Sequence, residues 1–224
     1  MFFVAALVLV GVTGAAAWLL TPSVSDAQAR VASRLATFGA HDPGALPVPD
    51  PVGRAIIATE DATFTTNPGL SASGIYRYLT SPVTGNAGSA TLEQQLAKVL
   101  YSHGSQDLLS QAEDAVLAVK VDASYSKDQL LQMYLSAVYF GHGFYGLPAA
   151  ARGYFALAPA DLSWAQASLL AGLVQAPSAY DPLVHLDLAV SRQGHVLDRL
   201  VATGVLTTTQ ADTARTAPLG LQSH

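Results

Sequence analysis

No cysteine occurs among the 224 residues. That absence excludes disulfides, thiol nucleophiles and cysteine-zinc sites, while leaving the compartment open. Cations are scarce as well: Lys and Arg total 11 against 16 Asp and Glu, for a net charge of -5. Nonspecific binding to nucleic acid needs clustered cations to neutralise phosphates, so that partner is excluded. The six histidines are scattered without metal-ligand spacing, and His142 in "GHGFYG" reads as a turn residue. No segment alternates apolar and polar residues with a strand's period of two, and no internal repeat is found.

What the chain has in quantity is apolar side chains, at 50% of residues, enough for one domain with a real core plus an appendage. Much of the excess lies in Phe2 to Leu20, 19 consecutive residues without a charge. As a helix this run just crosses a hydrocarbon layer of about 30 Å, and it reads as a transmembrane helix occupying 1–22. Ala15-Ala16-Ala17 also resembles a signal-peptidase site, so a cleaved secretory signal stays open. Either reading delivers the remainder to a membrane. No Lys or Arg precedes the run, so charge does not orient it.

After the run, Ser25-Asp26-Ala27-Gln28 reads as a capping box opening a helix through about Phe38. "HDPGALPVPDP" (41–51) then reads as a stiff linker, so 23–51 form a juxtamembrane helix and Pro-rich linker, and the main domain occupies 52–224. Ser126-Lys127-Asp128-Gln129, Ser163-Trp164-Ala165-Gln166 and Thr207-Thr208-Thr209-Gln210 repeat the box before apolar periodic runs. "TTNPG", "SPVTGNAGS", "FGHGFYG" and "QAPSAYDP" read as loops between them. The expected fold is mainly α, with long functional loops.

Three stretches carry chemistry. "IIATEDATF" places Glu60 and Asp61 at the end of an apolar helical run, where the macrodipole disfavours each anion by about 0.3–1 kcal/mol. "GSATLEQQLAKVLY" turns Leu92, Leu96 and Val99 to one side of a helix and Thr91, Gln95 and Lys98 to another. A hydroxyl, an amide and an ammonium in one row suit a phosphate and sugar ligand, although spacing alone does not separate this from an ordinary amphipathic helix. "QAEDAVLAVKVDASYSKDQLLQMYL" reads as two helices joined near Ala123 to Tyr125. Glu113 and Asp114 point about 100° apart there. Glu113 has Lys120 along its row on an exposed face. Asp114 runs with Ser110, Ala118 and Val121 and is expected to be a partly buried carboxylate with a raised pKa. Ser124-Tyr125-Ser126-Lys127 fits S-x-x-K, but without K-T-G or S-x-N the match is taken as chance, and Ser126 is already a helix cap.

With these residues laid out, the chain resembles the family 51 glycosyltransferases, the peptidoglycan polymerases, from about Val52 to Pro182. Of the pattern E-D-x-x-F-x-x-H-x-G, Glu60, Asp61, Phe64 and Gly69 match and Asn67 replaces the His. Of G-G-S-T-I-T-Q-Q-L-x-K, Gly88, Thr91, Gln94, Gln95, Leu96 and Lys98 match. Tyr125-Ser126-Lys127-Asp128, Tyr134-Leu135, Phe140-Gly141 and "AAARGYFALAPADLSWAQASLLAGLVQAPSAYDP" continue the likeness in order.

The resemblance implies a lysozyme-like helical domain with a smaller membrane-associated lobe, anchored by a single span in a bacterial cytoplasmic membrane with the catalytic domain on the outer face. It implies a peptidoglycan glycosyltransferase that polymerises lipid II with inversion and releases undecaprenyl pyrophosphate, partnered by the nascent glycan strand and cell-wall synthesis proteins. Glu60 would be the general base and Asp114 the second acid. Asp61, Phe64, Thr91, Gln95, Lys98, Lys127 and Arg152 would bind substrate. No metal-ligand set is implied among the residues, yet magnesium or manganese would assist departure of the pyrophosphate. The chain ends soon after the last motif, so a monofunctional enzyme is expected.

Several positions depart from the pattern. The second acid is one methylene shorter as Asp114, and the basic pair preceding it is Ser110 and Gln111. The Arg before the double glycine is Asn86, and the second glycine and the next serine are Ser89 and Ala90. Three cations expected to hold an anionic substrate are therefore missing, with Arg77, Lys120 or Arg152 left to compensate. A noncatalytic module that binds lipid II or the cell wall, and a lysozyme-like hydrolase using Glu60 as general acid, stay open beside the polymerase.

Overall fold

In the computed structural model, the described residues are 14–40, 44, 47–71, 90–102 and 108–222. Most of the apolar run, Arg77, "SPVTGNAGS", Asn86, Gly88 and Ser89 lie outside them. The described chain is helical: α1 (Ala27–Thr37), α2 (Asp50–Glu60), α3 (Leu92–Tyr101), α4 (Leu108–Ser124), α5 (Lys127–Ala137), α6 (Leu147–Phe155), α7 (Trp164–Leu173), α8 (Leu186–Ala202) and α9 (Thr208–Thr216), with a 3-10 turn at Pro159–Asp161. Among the described residues the β pairing is a single isolated bridge, Tyr139 to Tyr145. No helix among them is long and apolar enough to cross a membrane.

Capping chemistry starts three of these helices where the sequence places them. Ser126, Ser163 and Thr207 each accept from the backbone three residues on, and the glutamine there reaches back to the cap residue's backbone. The box expected at Ser25 is a correction: Asp26 is the N-cap of α1 without a side-chain cap bond, because Ser23 holds the Ser25 hydroxyl and Arg30 and Tyr101 take the Asp26 carboxylate. α2 begins inside the expected linker, at Asp50, where Pro49 and Pro51 preset the first turn and Asp50 pairs with Arg54 at 2.8 Å.

α7 explains how the core closes. Residues 165–173 are buried on every side, so this helix is surrounded and not amphipathic. α2 and α8 pack on it, α9 joins them, and α8 also packs on α2. A second group is built from α3 against α4 and α5, with α1 laid over α3 and α5. The C-terminal end of α2 is where the two groups meet.

Candidate active site

Glu60 is the last residue of α2 and is half-buried. Its Oε2 accepts from Gln95 Nε2 of α3 at 3.1 Å, while Gln95 Oε1 accepts from Tyr134 Oη of α5 at 2.7 Å. Burial pushes the Glu60 carboxyl above its usual range, and the Gln95 bond and the Arg192 charge oppose that rise. Burial and the Glu60 charge together hold the Tyr134 hydroxyl well above its ordinary value. The carboxylate at an unfavourable helix end therefore has its compensation in other helices.

Arg192 is the member that sequence reasoning missed. Its signal is not local: α8 packs on α2, Arg199 Nε donates to Ala58 O at 3.2 Å, and Arg192 lies two turns back on the same face of α8. Its stem runs over Gly172, and its Nε is buried without a hydrogen-bond partner.

Beneath Glu60 lies a second layer that ties the α2 exit to the start of α3. Both Asp61 oxygens are engaged, Oδ1 by the Thr63 amide and hydroxyl and Oδ2 by Asn67 Nδ2 and the Leu92 amide. Thr91 caps α3 and gives its hydroxyl proton to Gly69 O at 2.7 Å. Lys127 donates to Asn67 O and pairs with Glu93 and Asp122, with its ammonium 4.9 Å from the centre of the buried Phe64 ring. Burial alone would lower the Lys127 pKa, but its bonds to Asp122 and Glu93 outweigh that and raise it. Glu93, where the family pattern has Thr, is fully buried, and burial raises its pKa against the Lys127 bond.

The expected row of Thr91, Gln95 and Lys98 therefore does not form one ligand-facing strip. Thr91 is buried and turned into its cap, Gln95 is half-buried against Glu60, and Lys98 is exposed. Lys98 lies close enough to Asp114 on α4 to pull its pKa down, although burial wins and raises it, with Glu113 adding to the rise. That agrees with the expected half-buried acid. Lys120 is a correction: it is 7% exposed and donates to Thr21 O and Pro22 O, so it neither pairs with Glu113 nor supplies a free cation. Arg152 is exposed on α6 and has no hydrogen bond or ion pair to the Glu60 group. His142 is the expected turn residue, with φ 49°, and its Nδ1 lies 2.9 Å from Asp181 Oδ2.

The structure thus joins Glu60, Gln95, Tyr134 and Arg192 around one carboxylate, with Lys98 one turn beyond Gln95 and Asp114 opposite it. Such a set can take a proton at Glu60 and present positive charge beside it. Among the described residues no three acidic or histidine side chains come together as metal ligands. Cavities of about 190 Å³ between α1 and α5 and of about 300 Å³ between α7 and α9 lie away from this group.

The family model described as "Transglycosylase" matches residues 43–201. The chain belongs to the transglycosylase family. The match contains every residue of the Glu60 group, Arg192 included. Penicillin-binding protein 1F of Bacillus subtilis is 34% identical over 177 residues, 78% of this chain and 25% of that one. Penicillin-binding protein 1A of Escherichia coli is 33% identical over 180 residues, 79% and 21% of the two chains. Penicillin-binding protein 1A of Mycobacterium tuberculosis is 39% identical over 165 residues, 71% and 20%. This transglycosylase chain thus spans about a fifth to a quarter of the length of these curated relatives.

Proposed function

We propose that the domain is a peptidoglycan glycosyltransferase that polymerises lipid II, with Glu60 as general base. The supporting observation is a carboxylate pushed toward a higher pKa by burial yet held in place by Gln95 and faced by Arg192. In the proposed step Glu60 takes the proton of the acceptor sugar's 4-hydroxyl as that oxygen bonds to C1 of the donor. The C1 to phosphate-oxygen bond breaks, the diphosphate leaves with the electron pair from the opposite face, and the anomeric centre inverts. Lys98 stands one turn along α3 from Gln95 to meet diphosphate charge, and Asp114 orients Lys98. Asp61, Phe64, Thr91 and Lys127 act beneath the substrate, holding the loop and the α3 start. Arg152 is left for the glycan strand.

The same reading places Phe2 to Leu20 in a bacterial cytoplasmic membrane, the helical domain on its outer face, and a lysozyme-like fold with a smaller membrane-associated lobe around the site. Partners would be lipid II, the nascent strand and cell-wall synthesis proteins.

The test is incubation of the full chain with lipid II, with and without magnesium or manganese. Glycan chains are expected from wild type, and Glu60→Gln should lower the rate about 10²–10⁴-fold. Full activity in the variant refutes the assignment. A second reading, a module that binds lipid II without turnover, draws on the engagement of Lys120, one of three cations left to replace those missing. Saturable binding by titration with no glycan product would establish it instead.

A further inference from the structure

Helix α4 carries Asp114 toward Lys98, and six residues later it carries a charged side chain into the protein. A buried ammonium is costly unless its donors are satisfied. Among the described residues Lys120 makes no ion pair, and it meets Thr21 O at 2.8 Å, Pro22 O at 3.1 Å and the Trp18 ring at 5.2 Å. Three more contacts fix the same segment: Tyr125 Oη donates to Val24 O, Tyr101 Oη to Asp26 Oδ1, and Arg30 Nη1 to Leu100 O. The chain leading into α1 is stitched to α3 and α4 before the domain begins.

Just outside that stitching, Leu19 and Leu20 are 82% and 85% exposed and Trp18 is 44% exposed. Residues 14–20 are helical, and they end the charge-free run that starts at Phe2. Two bare leucines beside a tryptophan and a lysine have the make-up of a segment crossing the boundary of a bilayer, where Trp rings sit and Lys stems carry their charge outward.

We propose that Lys120 is the strut that fixes the height of α4 above the bilayer in which the membrane reading places Trp18 to Leu20. The proposal rests on the membrane and polymerase readings. Asp114 stands six residues from Lys120, about 9 Å along the helix axis, so locking Lys120 to the anchor also locks the acid near the level of lipid headgroups. Lys120 acts as a positioning residue and touches no substrate.

The full chain carrying Trp164→Phe keeps Trp18 as its one tryptophan. In vesicles of phosphatidylethanolamine and phosphatidylglycerol, acyl-chain-brominated lipids are expected to quench Trp18, and unquenched emission overturns the docking. Lys120→Met should slow polymerisation of vesicle-embedded lipid II by up to about 10²-fold, as expected for a site displaced by about an ångström. It should leave a short-chain lipid II analogue in detergent turned over at the wild-type rate. Equal loss in both arms, or loss in neither, overturns the strut. Trp18→Ala, an exposed change, should show the same split if Lys120→Met does not fold, and absence of the split there also counts against it. Wild type inactive in both arms would instead sink the polymerase reading, while the quenching still decides the docking.

Discussion

Gln95 donates from its amide nitrogen to Glu60 at 3.1 Å because Tyr134 already occupies the oxygen end of the same amide. An amide has one accepting and one donating side, so the tyrosine proton on Oε1 turns the NH₂ group toward the carboxylate. The bond favours ionised Glu60, against the burial that disfavours it.

This balance sets the pH dependence. Removing Tyr134→Phe lets the amide turn, and Arg192→Met deletes the nearby positive charge; each raises the Glu60 pKa further. Because the base acts unprotonated, the acid limb of kcat/KM should move to higher pH in both, with severalfold loss at neutral pH. Arg192→Lys should keep the wild-type limb. Profiles that coincide for Arg192→Met and wild type would remove the arginine from the site.

Glu60 also has a cost to the fold. Its folded pKa lies above the ordinary 4.5, so its stabilising protonated form is fully present below that value and lost as pH rises through the folded pKa. Glu60→Gln, which keeps an acceptor for Gln95, should therefore raise Tm at pH 7.5 and leave it unchanged near pH 4. Thermal melts at the two pH values test this, and a lower Tm at pH 7.5 contradicts it.

Lys127→Met should be far more damaging to stability. It strands Glu93, which is fully buried with Oε2 already lacking a partner. Leaving one charge of a buried pair alone costs roughly 3–5 kcal/mol. Urea unfolding at pH 7 should show that loss, and the double variant Lys127→Met with Glu93→Gln should recover much of it. Additive losses would mean the pair is not coupled.

Gly69→Ala tests the close approach of the Asp61 loop to α4. Gly69 has φ +85°, and an added Cβ would lie 2.7 Å from Ala118 O, a backbone atom that cannot swing away. A loss of about 2 kcal/mol or more is expected by denaturation, together with reduced turnover, since Ala118 lies one turn from Asp114. Wild-type stability would show that the loop does not bear on α4.

The helices of this protein were legible because their signals are short-range. Ser126, Ser163 and Thr207 meet their glutamines three residues on, and Asp114 is half-buried because its helical row is small and apolar. Ser25 failed at the same spacing because Ser23 and the α3 residue Tyr101 compete for the local groups. Glu93 and Lys127 gave no warning: 34 residues separate them, and only the packing of α3 on α5 makes them partners.

What the sequence by itself determined is the helical class, the helices opened by Ser126, Ser163 and Thr207, the charge-free N-terminal run and a carboxylate at the end of α2. Only the tertiary structure decided what surrounds that carboxylate and where each scarce cation went. Arg192 came to Glu60 with α8, Lys120 was withdrawn to the carbonyls of Thr21 and Pro22, and Lys127 was locked to Glu93. A side chain's partner across a helix interface depends on how two elements pack, and neither element's own periodicity contains that information.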